Sequence, residues 1–226
     1  MGLVVMIYGK SGSGKSRSMK GFADDEILLV NVQRKALPFR NKFKYVYSPK
    51  DDEKGNAVEK IKCALKKMPV KTAVIDDAGY LMTNAFMKGH SQPKSGSSSF
   101  DLYNDIADQF WGLLNFIVND LANNVIVYIV MHEETSDYGE TKLKTIGKLL
   151  DQKVCLEGMV TICLRCLTNG EQHWFSTQST GMDISKSPEE MFPKEIDNDL
   201  KFVDSTIREY YGMVAEEKDE KAKESA

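Results

Sequence analysis

Cysteine is scarce in this chain of 226 residues, with four in all at Cys63, Cys155, Cys163 and Cys166. None has the regular loop spacing of a disulfide-stapled secreted domain, so reduced thiols are expected. Cys163 and Cys166 form a C-x-x-C, but no second pair and no pair of histidines stands near them, so both read as structural strand cysteines rather than a zinc site. No apolar run approaches the roughly 20 residues that span a bilayer, and no charged leader precedes the first apolar stretch. The chain therefore reads as cytoplasmic, with no membrane partner. Positive charge is not in excess either. The 30 lysines and arginines against 33 acids leave a formal net charge of -3, which excludes a protein that binds polyanions over its whole surface and confines any nucleic-acid contact to a local patch. Arginine occurs only at positions 17, 34, 40, 165 and 208. That scatter argues against a small-molecule P-loop kinase, whose lid needs clustered arginines. No internal repeat is visible.

What is present stands at the start. Leu3-Val4-Val5-Met6-Ile7-Tyr8 is an apolar run, and Gly9-Lys10-Ser11-Gly12-Ser13-Gly14-Lys15-Ser16 follows it with the spacing G-x-x-x-x-G-K-[ST]. The pattern carries a mechanism when a buried strand delivers the chain into a glycine-rich turn that opens a helix. Glycines let successive backbone N–H groups face an anion, Lys15 sets a charge against the β and γ phosphates, and the Ser16 hydroxyl reaches Mg²⁺. Gly9, Ser11, Gly12, Ser13, Gly14, Lys15, Ser16 and Arg17 are the expected nucleotide contacts, with ATP and Mg²⁺ as cofactors.

Apolar strands alternate with helical patterns along the rest of the chain. Strands are expected at 27 to 32, 43 to 47, 72 to 77, 125 to 130, 159 to 165 and 173 to 177. The segment before the second strand has room for one helix, and amphipathic helices are expected at 52 to 67, 102 to 121 and 197 to 213. Strands apolar on both faces imply a mostly parallel sheet covered on both sides. Asn169-Gly170 signals a hairpin, so an antiparallel pair extends one edge. The fold class is α/β, with residues 1–213 as one domain and 214–226 as a charged, disordered tail. Residues 88 to 99 read as a flexible insertion.

Further chemistry sits at strand ends. Asp76-Asp77 closes an apolar strand in the Walker B manner, with Asp76 on the metal side. Asp77 either orients or activates water or is a solvated strand-end acid, and both readings stay open. Met131-His132-Glu133-Glu134 ends the strand at 125 to 130. His132 is the candidate γ-phosphate sensor, a turn histidine being the bland alternative, and Glu133 is a second candidate to act on water. Lys88 and Lys94 in one loop, and Lys142, Lys144 and Lys148 in the segment 135 to 153, are candidate phosphate-backbone contacts for DNA, although acids surround the second group. Phe100, Tyr103 and Trp111 offer stacking faces for bases, but Trp111 is expected in the core.

Together these segments, with Thr180-Gly181-Met182-Asp183-Ile184-Ser185-Lys186-Ser187-Pro188, Met191-Phe192 and Asn198-Asp199-Leu200, resemble phage-encoded ATP-binding proteins of the RecA-like class up to about Met213. Members of that class are associated with single-strand annealing and recombination. The resemblance implies a RecA-like P-loop NTPase core acting as an ATPase in a host cell's cytoplasm. Its implied partners are single-stranded DNA, further copies of the chain in a ring or filament, and a single-strand-binding protein. It also implies DNA contact through 88 to 99 and 135 to 153, and a cation reaching a neighbour's γ-phosphate, here Lys186 or else Arg165. One departure stands out. The class usually carries a water-positioning glutamate after the second strand, where this chain reads Val30-Asn31-Val32-Gln33-Arg34. Gln33 orients water but cannot take its proton, so Asp77 or Glu133 substitutes, or hydrolysis is slow and ATP is mainly an assembly switch. The competing reading without DNA is a nucleotide-dependent scaffold.

Overall fold

The computed structural model describes residues 1–50, 56–90, 99–147 and 154–213. Among these described residues nine strands form one sheet: β1 (Leu3–Gly9), β2 (Ile27–Asn31), β3 (Tyr45–Tyr47), β4 (Thr72–Asp76), β5 (Ile126–Thr135), β6 (Thr141–Leu143), β7 (Ile162–Thr168), β8 (His173–Ser176) and β9 (Glu195–Asp197). The spatial order is β3-β2-β4-β5-β1-β7-β8-β9, with β6 pairing the far end of β5. From β3 to β7 all neighbours are parallel. β8 and β9 run antiparallel at one edge. This is the mixed, mostly parallel sheet of an α/β P-loop NTPase fold.

Alternation along β1 shows why the sheet is covered twice. Met6 and Tyr8 point into a cluster with α1 (Ala57–Lys67), α2 (Gly79–Gly89) and α3 (Ser99–Asp120), while Val5 and Ile7 join Met19, Leu200, Val203 and Ile207 on the other face. Leu200, Val203 and Ile207 belong to the last helix, α4 (Leu200–Tyr210). All seven of the non-alanine residues named on β1 and α4 are buried to 3% exposure or less, and each such aliphatic side chain stabilises the fold by roughly 1.5–3 kcal/mol. Asp199 caps α4 by accepting from the Lys201 and Phe202 N–H groups.

Several features differ from expectation, among them the strand β9, which takes up residue 197 where the closing helix was expected to begin. The segment after the phosphate loop forms a six-residue 3-10 helix, Ser16–Gly21, rather than an α-helix. Ser18 bonds back to the Lys15 carbonyl at 2.6 Å, and Gly21 is the last residue of the run, so local side-chain bonding and a poor helix former end it early. α2 has no clear herald in the sequence. β5 runs on to Thr135 and turns back through β6, so much of the expected loop from 135 is a hairpin. Trp111, expected in the core, is 50% exposed on α3. Among the described residues no helix is long and apolar enough to cross a membrane.

Candidate functional site

β1 lies between β5 and β7, and its last residue, Gly9, is in register with His132. The turn that follows needs glycine at Gly12 (φ 80°) and Gly14 (φ 103°), where an L side chain is strained. Lys15 bends back and donates from Nζ to the Gly9 and Lys10 carbonyls at 2.8 and 2.7 Å. Burial holds its ammonium below the ordinary lysine range. The loop thus cradles its own cation.

Behind the loop, the Ser13 carbonyl accepts from the Cys166 thiol at 3.0 Å and from His173 Nδ1 at 2.7 Å. A carbonyl only accepts, so Nδ1 is the protonated ring nitrogen. Asn198 Nδ2 donates in turn to Cys166 Sγ at 3.1 Å. Burial pushes the Cys166 thiol up to about 11, so it stays a donor. The carbonyl and N–H of one planar peptide point in opposite directions. Holding the Ser13 carbonyl outward therefore turns the Gly14 N–H toward the concave side, where an anion would sit.

The two acids stand at the end of β4. Ser16 Oγ lies 3.0 and 2.9 Å from the two Asp76 oxygens. Asp76 is buried, and that burial, followed by the charge of Asp77, raises it to about 6. A hydroxyl and a carboxylate, converging next to the lysine of a phosphate loop, are hard oxygen donors that fit a magnesium ion carrying a nucleotide. Asp77 has a left-handed backbone (φ 59°), rare for a residue with a side chain. Its carboxylate is clamped by His132 Nε2 at 3.3 Å and Lys35 Nζ at 2.7 Å. The hydrogen bond from His132, then that from Lys35, takes it down to about 2 despite partial burial. The Tyr80 ring stands edge-on to His132 and carries Lys35 over its face at 5.2 Å.

Lys15, Ser16, Asp76, Asp77 and His132 are thus brought together. Glu133 is placed differently, with its side chain only 2% exposed and held by two N–H groups of Arg165 at 2.8 and 3.0 Å. Arg165 also reaches Thr141 Oγ1 at 3.2 Å. Both members of the pair are occupied within one chain. Lys186 lies along the outer edge of β7, its backbone bonded both ways to Cys163. The Lys144 N–H donates to the His132 carbonyl at 2.8 Å, and Lys142 pairs with Glu134 at 3.1 Å. Lys88 is near the far end of α2, whose first residue, Gly79, adjoins Lys144. The two described lysine groups therefore stand about 14 Å apart along that helix, at 1.5 Å per residue. Lys94 and Lys148 lie outside the described residues. Tyr103 packs on Phe86. Sequence reasoning missed Lys35, Tyr80, His173, Cys166 and Asn198. Of these, only His173 had a signal, since the Asn169-Gly170 hairpin places it at the start of a strand beside the loop.

A family model described as an AAA domain matches residues 1–191. The matched span takes in β1 to β8 and stops before β9 and α4. No curated protein matches the chain.

Proposed function

We propose, from the premise that this chain belongs to the AAA domain family and is a nucleotide-binding P-loop ATPase domain, that it hydrolyses ATP slowly and uses ATP binding to order a single-stranded-DNA contact, as in phage RecA-like recombination proteins. One observation carries this reading. The ring of His132 bonds Asp77 in the candidate nucleotide site, while its carbonyl accepts from Lys144 at the foot of the β5–β6 hairpin. One residue therefore belongs to both the site and the hairpin. Magnesium bound with ATP would supply positive charge to the β and γ phosphate oxygens. Ser16 and Asp76 would hold that ion, and Lys15 would leave the loop carbonyls for phosphate.

Asp77, kept ionised by His132 and Lys35, orients water more readily than it removes a proton, because a carboxylate this acidic is a weak base. Gln33, with a buried Nε2 lacking a partner, supplies no base either. Slow turnover is the consequence. Assembly into a ring or filament would let Lys186, at an outer edge of β7, meet a neighbour's nucleotide and stabilise charge there. Salt-dependent binding to a fluorescent oligo-dT tests the proposal. Affinity rises when ATP is added to the intact protein, and Lys15→Ala abolishes that rise. Equal binding with and without ATP, in a protein that still binds ATP, favours the nucleotide-dependent scaffold instead.

A further inference from the structure

On the side of the phosphate loop marked by Arg17, the surface falls into an open cleft of about 1010 Å³. Arg17, Trp174, Asn198 and Phe202 line it, together with His173, which holds the Ser13 carbonyl. The direction in which a triphosphate would lie follows from residues already placed. Ser16 and Asp76 mark the metal end, Lys15 serves the β and γ phosphates, and the backbone amides that open the helix serve α and β. The nucleoside then leaves the loop near Arg17, where the cleft opens. We infer that this cleft receives the purine nucleoside end of the nucleotide, with Trp174 and Phe202 as its stacking faces. The inference rests on the nucleotide reading above.

Charge supports the assignment. Glu171, Glu195, Asp197 and the helix-capping Asp199 also line the cleft, against the single arginine. Carboxylates repel phosphates but accept from ribose hydroxyls and exocyclic amino groups, so the cleft suits the uncharged end of the ligand. Two polar atoms are also left over in its wall. The indole Nε1 of Trp174 and Oδ1 of Asn198 are buried and have no hydrogen-bond partner. Native proteins rarely leave such groups unpaired. The Trp174 N–H lies in the plane of the indole, so a turn that lays the ring face on the base points this donor past the base toward the ribose, while Asn198 stays tied through Nδ2 to Cys166 Sγ. Phe202 is 47% exposed on α4, although its neighbour Val203 is fully buried. Packing onto the sheet does not account for an aromatic there, whereas stacking does.

Inorganic tripolyphosphate carries three phosphates without base or sugar, and it separates the cleft from the loop. In magnesium buffer the unmodified protein binds ATP more tightly than tripolyphosphate. Trp174→Ala and Phe202→Ala each weaken ATP binding about tenfold, the lower end of what stacking one base contributes, and leave tripolyphosphate binding unchanged. In Trp111→Phe the only indole left is Trp174, and ATP alters its fluorescence while tripolyphosphate does not. The inference is overturned if ATP affinity is unchanged in both alanine variants, or if Phe202→Ala weakens both probes alike. Intact protein that binds tripolyphosphate as tightly as ATP removes the cleft assignment alone. Intact protein that binds neither removes the nucleotide reading and the cleft with it.

Discussion

Replacing Asp76 by asparagine should make the nucleotide-free protein more stable at neutral pH, by an amount the structure allows to be worked out. Asp76 titrates near 6 when folded, and an unfolded aspartate titrates near about 3.9. Two pH decades at about 1.36 kcal/mol each make roughly 3 kcal/mol. The sign follows from the direction. A folded-state value raised above the unfolded one means the unfolded chain gives up its proton more readily, so the ionised carboxylate costs the fold stability above pH 6, and the cost fades as pH falls to about 4. Asparagine keeps the size and an acceptor for Ser16 Oγ, so the substitution isolates the charge. Urea unfolding in EDTA at pH 4, 5, 6 and 7.5 should give a variant-minus-wild-type difference that is near zero at pH 4 and climbs to about 3 kcal/mol at 7.5. For a domain of this size that equals roughly 6–12 °C in Tm. Asp77, at about 2 in the folded protein, loses its stabilising contribution only below about pH 4, outside the range over which the difference opens. With magnesium and ATP the order should reverse, because only the carboxylate gains a cation. A pH-independent gap, or a wild type that is more stable at pH 7.5 without ligand, would refute the reasoning.

Other expectations follow from the same contacts. His173→Leu removes a donor from the Ser13 carbonyl and should weaken ATP and tripolyphosphate together by about tenfold, in keeping with about 1–2 kcal/mol for one lost hydrogen bond to a buried group; His173→Asn, whose amide can donate from a similar place, should recover most of the loss in the same titration. Arg165→Met strands Glu133 in a buried site and should cost about 3–5 kcal/mol by chemical denaturation, while Arg165→Met combined with Glu133→Leu should regain most of it; equal stability of the single and double variants would contradict the pairing. Lys35→Met should shift the Asp77 carboxyl resonance so that it titrates above the present value of about 2, and no movement would show that His132 alone sets that acidity.

The phosphate loop was legible because its mechanism is local: eight consecutive residues after an apolar strand carry it. Asp76 was legible for the same reason, as the polar end of an apolar run. What stands behind the loop was not. Cys166 and His173 contact Ser13 across 153 and 160 residues of chain, and nothing in a single sequence pairs positions so distant. The end of β5 was hidden because residues 132 to 135 carry polar or charged side chains that read as loop. Lys35 was hidden because one lysine in a loop announces no partner. Trp111 was misjudged because helical spacing locates a stripe, and it does not say whether the next residue round the helix is covered.

β5 has one more consequence. Up to His132 it is hydrogen-bonded to β1 and, up to Ile129, to β4 as well, whereas from Glu133 onward it is bonded only to β6. Mechanically it is a cantilever, rooted in the sheet, braced at Glu133 and Thr141 by Arg165 and tied through the Thr141 N–H to the Met182 carbonyl. Its tip, at Tyr138, is 89% exposed. A tilt of about 5° at the root swings a point five residues out, roughly 17 Å away at 3.3 Å per residue, by about 1.5 Å. The sheet can stay rigid while the far end of this beam travels a distance that matters to whatever rests against it.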